Sequence, residues 1–184
     1  MALARVRPAT SHDVPALAAL HSRTWRIAYA ELLPAETLDE LDSPEVHQAW
    51  AETIGGGATV LLASEGDELV GFVVAGPAPQ GEVAAADGTL PADAAQTVLV
   101  STLLVEPRWA RRGHGGRLLA AAAEKWRESG ATRGITWVPA EDPASLSFYR
   151  RTGWEPDGTI RTLDTGTRTL REVRLTGSLD ADQE

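Results

Sequence analysis

Hydrophobic residues along the chain switch between helical and strand spacing, and each switch marks an element. Leu3 to Pro8 predicts a short opening strand. The stretch TSHDVPALAALHSRTWRIAY opens with capping residues and has Pro15 near its first turn. It continues with Leu17, Leu20, Thr24 and Ile27 at helical spacing, which predicts a first helix. A second helical stretch follows Pro34 through Leu38 and Leu41. A third runs from about Pro44 to Ile54 and ends at three glycines. ATVLLAS and ELVGFVVAG, separated by EGD, predict a hairpin of two apolar strands. PAPQGEVAAADGTLPADAA follows no firm period and predicts a mobile loop.

Past that loop, TVLVSTLLVEP predicts a strand that stops at Pro107. The helix after it carries Leu118, Leu119, Ala122 and Trp126 on one face and ends near Gly130. ATRGITWVP predicts a further strand, and EDPASLSFYRRTG a short helix with acids and a proline at its start and Gly153 at its end. WEPDGTIRTLD and RTLREVRLTGSL predict two last strands joined by a Thr/Gly turn. The order is β-α-α-α-β-β-β-α-β-α-β-β, an α+β (mixed α/β) arrangement around one sheet. We expect a single domain over residues 1–184, with the acidic tail frayed from about residue 179.

Composition narrows the function. Apolar residues make up 43% and charged residues 23%, an ordinary globular mixture that leaves no room for wholesale disorder. The net charge of −9 argues against nucleic acid as a partner and weakly favours a cationic substrate. Cysteine is absent, which removes disulfides, thiolate nucleophiles and Cys-ligated metals. The four histidines, at 12, 21, 47 and 114, show no close metal-ligand spacing, so no metal is expected. No run is apolar and long enough to span a bilayer, and the N-terminus lacks a signal-peptide core. A cytoplasmic location with no membrane partner is the expectation.

One stretch breaks with this acidic background. EPRWARRGHGGRLL, Glu106 to Leu119, holds four arginines and three glycines and no acid after Glu106. It lies between a strand and the first turn of a helix, whose leading N–H groups have no internal partner and carry partial positive charge. Gly113, Gly115 and Gly116 let an anion approach those groups, and Arg108, Arg111, Arg112 and Arg117 add charge. The alternative is a glycine-rich turn with surface arginines. A Walker A loop fails because Arg117 and Leu118 stand where Lys and Ser/Thr are needed. A GxGxxG dinucleotide fingerprint fails because Leu118 is not glycine. The loop therefore points to a phosphorylated ligand, a pyrophosphate in particular.

At this point the residues resemble a known family. LLVEPRWARRGHGGRLL is similar to motif A of the GCN5-related N-acetyltransferases (GNAT), with Val105, Pro107, Gly113, Gly115, Leu118 and Leu119 in place and Ala110 where the motif has Gln or Arg. DPASLSFYRRTGW resembles motif B through Tyr149, Gly153 and Trp154, with Asp142 for the usual Asn and Ser145 for the usual Ala. SRTWRIAYAELLP and EVRLTGSL resemble the first helix and last strand of bacterial members. The resemblance implies a GNAT fold, with a central, mostly antiparallel twisted sheet splayed between strands 4 and 5 and flanked by helices. It also implies acetyl-CoA as cosubstrate and a small-molecule or peptide amine as acceptor.

In that scheme the CoA pyrophosphate lies on Arg111, Arg112, Gly113, His114, Gly115 and Gly116. The pantetheine arm pairs with the backbone at Leu103, Leu104 and Val105, while Asp142 and Ser145 complete the cofactor site. Tyr149 corresponds to the general acid; packing beside Phe148 is the alternative. Trp25, Tyr29 and Trp137 are candidates for an aromatic acceptor wall, although core packing is the favoured explanation for each taken singly. The strand TVLVSTLL has no carboxylate, so the general base is left among Glu31, Glu106, Glu141 and a water relay, with the relay preferred. EVRLTGSL is a candidate homodimer edge. A non-catalytic acyl-CoA-binding or sensing module on the same fold is the runner-up, and an unrelated phosphate-binding domain stands third.

Overall fold

A computed structural model of the chain describes residues 4–31, 33–164, 166 and 169–179. Seven strands form one sheet: β1 (Ala4–Pro8), β2 (Thr59–Glu65), β3 (Glu68–Pro77), β4 (Thr97–Val105), β5 (Arg133–Pro139), β6 (Glu155–Asp164) and β7 (Thr169–Ser178). Their order is β1-β2-β3-β4-β5-β7-β6. β4 and β5 run parallel, whereas β1–β2, β5–β7 and β6–β7 are antiparallel. The β4–β5 register runs only from Thr97–Arg133 to Val100–Thr136. Residues 101–105 of β4 thus continue beyond the pairing with β5, the splay that the resemblance implied. The helices are α1 (Val14–Ala28), α2 (Ala35–Asp39), α3 (Pro44–Gly55), α4 (Gln80–Val83), α5 (His114–Glu128) and α6 (Pro143–Arg151). The start of the opening strand at Leu3, most of the Thr/Gly turn after β6 and the tail beyond Leu179 lie outside the described residues.

The chain divides into two compact units. The first comprises residues up to Val74 together with Thr102–Ala122. Its core joins Val14, Leu17, Ala18 and Leu20 of α1 to Trp50 of α3 and to Leu62, Phe72 and Leu104 of the strands. Burying each large side chain stabilises the unit by about 1.5–3 kcal/mol. α1 starts where the sequence expects it, because Arg7 grips Asp13 through two bonds of 2.8 and 2.7 Å while Thr10 N–H donates to the same carboxylate at 2.8 Å. Ile27 departs from expectation: it shares the spacing of Leu17, Leu20 and Thr24, yet stands 64% exposed on the last turn. β3 and β4 approach so closely that a Cβ on Gly71 would come within 2.6 Å of the Leu104 carbonyl oxygen.

The second unit comprises Ala75–Ser101 and the chain from Ala123 onward. Ile135 and Leu175 are fully buried, and Trp154 lies across Gly134 and Gly177, which face each other in the β5–β7 register. A Cβ at either glycine would overlap the indole ring. Two expectations are corrected here. β7, which carries EVRLTGSL, is paired on both sides, so it cannot be a dimer edge; β6 is the outer strand. The stretch expected as a mobile loop is anchored. It contains α4, with Val83 1% exposed, and Arg174 of β7 donates to the carbonyls of Glu82 and Ala84 at 2.7 and 2.9 Å. Near its other end Asp93 accepts two bonds from Arg133, at 2.6 and 2.8 Å.

Candidate active site

In the first unit, β4 delivers Leu103, Leu104 and Val105 to the start of the basic stretch, with Leu104 buried and its neighbours half-buried. A 3₁₀ turn, Pro107–Trp109, leads into residues 110–113, and α5 begins at His114. Arg111 adopts φ 62°, a left-handed backbone that costs a non-glycine residue about 1 kcal/mol or more, and Gly113 adopts φ 82°. A Cβ on Gly116 would meet nothing within 4 Å, so no protein packing demands glycine there. Bare backbone at the first turn of α5 is the arrangement that admits an anion to the helix N–H groups.

The side chains around this loop are less free than their number suggests. Arg112 donates to Glu65 Oε1 at 3.0 Å, and buried His114 places Nε2 2.9 Å from Glu65 Oε2. Arg117 donates to the Arg112 carbonyl at 3.0 Å. His114 therefore faces inward, and its main-chain N–H is what it can offer to a phosphate. Ala110 is exposed, so the departure from motif A falls at a surface position.

Glu106, one of the candidate bases, is buried and bound by two guanidiniums, Arg23 at 3.1 Å and Arg108 at 2.7 Å. Burial alone would raise its carboxyl pKa. The hydrogen bonds and charges of Arg23 and Arg108 outweigh that effect and hold it below the ordinary carboxylate range. A carboxylate held ionised by two arginines is a poor proton acceptor, so Glu106 is a structural anchor. Trp25 and Tyr29 do stack, edge to face at 5.1 Å, and the row continues through His21, 4.8 Å from Trp25. His21 also meets Trp50 and Phe72, and neither of its ring nitrogens has a hydrogen-bond partner among the described residues. Burial pushes its pKa down to about 4. The four-residue spacing His21–Trp25–Tyr29 stands in the sequence and could have revealed this row.

In the second unit, Tyr149 of α6 is buried against Trp154, and Thr136 of β5 lies beside its hydroxyl. The Thr136 hydroxyl donates in turn to the Val100 carbonyl at 2.8 Å, at the last β4–β5 pair. Burial raises the Tyr149 pKa to about 12, a shift only partly offset by Thr136. Asp142 and Ser145 come together as the cap of α6: Asp142 accepts from Ser145 N–H at 3.0 Å and from its hydroxyl at 2.7 Å. Trp137 does not present a free ring face. Arg161 lies 4.3 Å over it, Arg174 at 5.7 Å, and its indole N–H donates to Glu82 at 2.5 Å. An aromatic that already carries two guanidiniums makes a poor wall for a cationic acceptor. Glu65, Thr136 and Glu82 escaped the sequence reading because these partners lie 36 to 79 positions away.

This framework has known relatives. Residues 16–154 match the acetyltransferase (GNAT) family, and the chain belongs to it. It is a GNAT-type N-acetyltransferase. The chain is similar to an uncharacterized N-acetyltransferase of Bacillus subtilis, YuaI, at 30% identity over 79% of this chain and 76% of the relative. A probable N-acetyltransferase of Mycobacterium tuberculosis is 26% identical over 84% of this chain and 81% of its own length. Among solved structures, the PaiA N-acetyltransferase of Thermoplasma acidophilum, in complex with coenzyme A, shares the fold. It has a TM-score of 0.74 at 16% identity over 96% of this chain and 99% of that one. Among the described residues no helix is long and apolar enough to cross a membrane, and no three acidic or histidine side chains group to hold a metal.

Proposed function

We propose that residues 1–184 form a single N-acetyltransferase domain that moves the acetyl group of acetyl-CoA to a primary amine of a small molecule or peptide. The observation that carries this reading beyond simple binding is Tyr149, a buried phenol whose pKa of about 12 keeps it protonated across the working pH range. The crystallised complex of the PaiA relative with coenzyme A supports the choice of cosubstrate. The pyrophosphate would rest on backbone N–H groups at Gly115 and Gly116 beside Arg111, and the pantetheine arm would pair with Leu103–Val105.

The amine nitrogen attacks the thioester carbonyl, forming the C–N bond while the C=O electrons become an oxyanion. Collapse of that intermediate breaks the C–S bond, and the Tyr149 O–H donates to the departing sulfur. The ammonium proton leaves through water. A relay is favoured because Glu106 is held ionised by Arg23 and Arg108, while Glu31 and Glu141 are exposed. Loss of the acidic limb of the pH–rate profile on changing Glu31 or Glu141 to Gln would instead make that residue the base.

The runner-up, a non-catalytic acyl-CoA-binding module, draws on the closeness of the Tyr149 hydroxyl to Thr136. A thiol-release assay with acetyl-CoA and a panel of primary amines separates the two readings. Turnover is expected; tight binding of acetyl-CoA without turnover on any amine would leave the sensing module. A cytoplasmic location and a homodimer belong to the same proposal.

A further inference from the structure

Glu65 closes β2, and its carboxylate spans the basic loop. One oxygen takes Arg112 at 3.0 Å and the other takes His114 at 2.9 Å, so the residues on both sides of Gly113 are tied to one group. The tie to His114 is sheltered, with the His114 side chain 1% exposed and that of Glu65 18%, while Arg112 is half-exposed. The Arg112 guanidinium also lies 4.7 Å over the Trp109 ring, which stands T-shaped to the His114 ring with 6.4 Å between centroids. Between these fixed points stands Arg111 in its left-handed conformation, which persists only where its surroundings impose it.

We propose that Glu65 is a positioning residue for acetyl-CoA: by holding Arg112 and His114 it sets residues 110–116 in the form that receives the pyrophosphate. The inference rests on the reading of this loop as the pyrophosphate site. Its sign is unusual. A carboxylate beside an anion site repels the ligand and neutralises Arg112, so electrostatics alone makes removal of Glu65 tighten binding. Positioning makes the same change weaken it. The two effects oppose each other, and their net direction identifies which one Glu65 serves.

Acetyl-CoA affinity and steady-state kinetics of the native protein, Glu65→Ala, Glu65→Gln and Glu68→Ala decide the matter. Glu68, whose exposed ion pair with Arg108 spans 3.4 Å, removes the same charge without touching the clasp. Glu65→Ala raises the acetyl-CoA KM about tenfold or more, the scale of losing hydrogen bonds to a charged group, with kcat at saturation held within about threefold. Glu65→Gln, isosteric and able to accept from one partner, falls between, and Glu68→Ala behaves as native. A purely structural role would lower thermal stability and leave KM unchanged. Native binding with equal or tighter binding in both Glu65 variants overturns the positioning role and leaves the acetyl-CoA reading standing. Absence of acetyl-CoA binding by the native protein overturns that reading, and the positioning role with it.

Discussion

Two glycine-containing connections behave in opposite ways. Residues 106–117 advertise their chemistry: arginines and glycines stand directly before a helix, and their spacing alone suggests an anion site. Residues 78–96 look like filler, yet they are pinned from outside. Arg174, 4% exposed, reaches two of their carbonyls and also holds Asp157 at 2.6 Å and the Thr159 hydroxyl at 2.9 Å. Trp137 and Arg161 both reach Glu82. The first connection carries half-exposed charges on a strained backbone, and the second is held by an ionic cluster around the buried Arg174. Order in a connection comes from its partners, and local composition reveals them only when they are local.

This contrast can be broken most forcefully at Arg174. Arg174→Ala removes a buried guanidinium and its hydrogen bonds to Asp157, Thr159 and the carbonyls of Glu82 and Ala84, and a loss of about 3–5 kcal/mol in denaturant-derived stability is expected. A loss below about 1 kcal/mol would mean that the segment is not held by this side chain.

In the first unit the ring nitrogens of His21 are buried with no hydrogen-bond partner among the described residues, and His21 gives a smaller effect with a definite pH window. Its folded pKa of about 4 lies below the ordinary 6.5, so folding favours the neutral ring. The contribution is full above pH 6.5 and is lost as pH falls through about 4, roughly 3 kcal/mol in all. Equilibrium unfolding from pH 7 to pH 4 should show that decline, and His21→Gln should flatten it. An unchanged slope in the variant would assign the acid sensitivity elsewhere.

Trp137→Phe keeps the ring over which Arg161 lies but removes the indole donor to Glu82. It should cost about 1–2 kcal/mol, measured in the same way. The smallest effect belongs to the advertised loop. Arg112→Ala removes a half-exposed ion pair with Glu65 and should change global stability by less than about 1 kcal/mol, while weakening acetyl-CoA binding. If Arg112→Ala destabilises the protein as much as Arg174→Ala does, the distinction between the two connections fails.

Much of the fold was legible because strand and helix periods are local. Leu118, Leu119, Ala122 and Trp126 are buried as their spacing requires, and β4 starts and ends within the stretch TVLVSTLLVEP. What escaped was pairing at long range. EVRLTGSL looks like an edge until its neighbours are known, and Trp137 looks like a free aromatic until Arg161 is placed over it. The site followed the same rule. The glycines and Tyr149 stood out by motif, whereas Glu65, which holds the loop, and Thr136, which lies beside the Tyr149 hydroxyl, could be found only in the folded chain.

The most direct test of acetyl transfer with Tyr149 as the proton donor is the steady-state kinetics of Tyr149→Phe, with acetyl-CoA varied at saturating amine. The phenol is buried, so the ring is retained and only the hydroxyl is lost. The account predicts a kcat lower by about 10²–10⁴-fold with the acetyl-CoA KM nearly unchanged. A native kcat in the variant would contradict it, leaving Tyr149 as a packing residue.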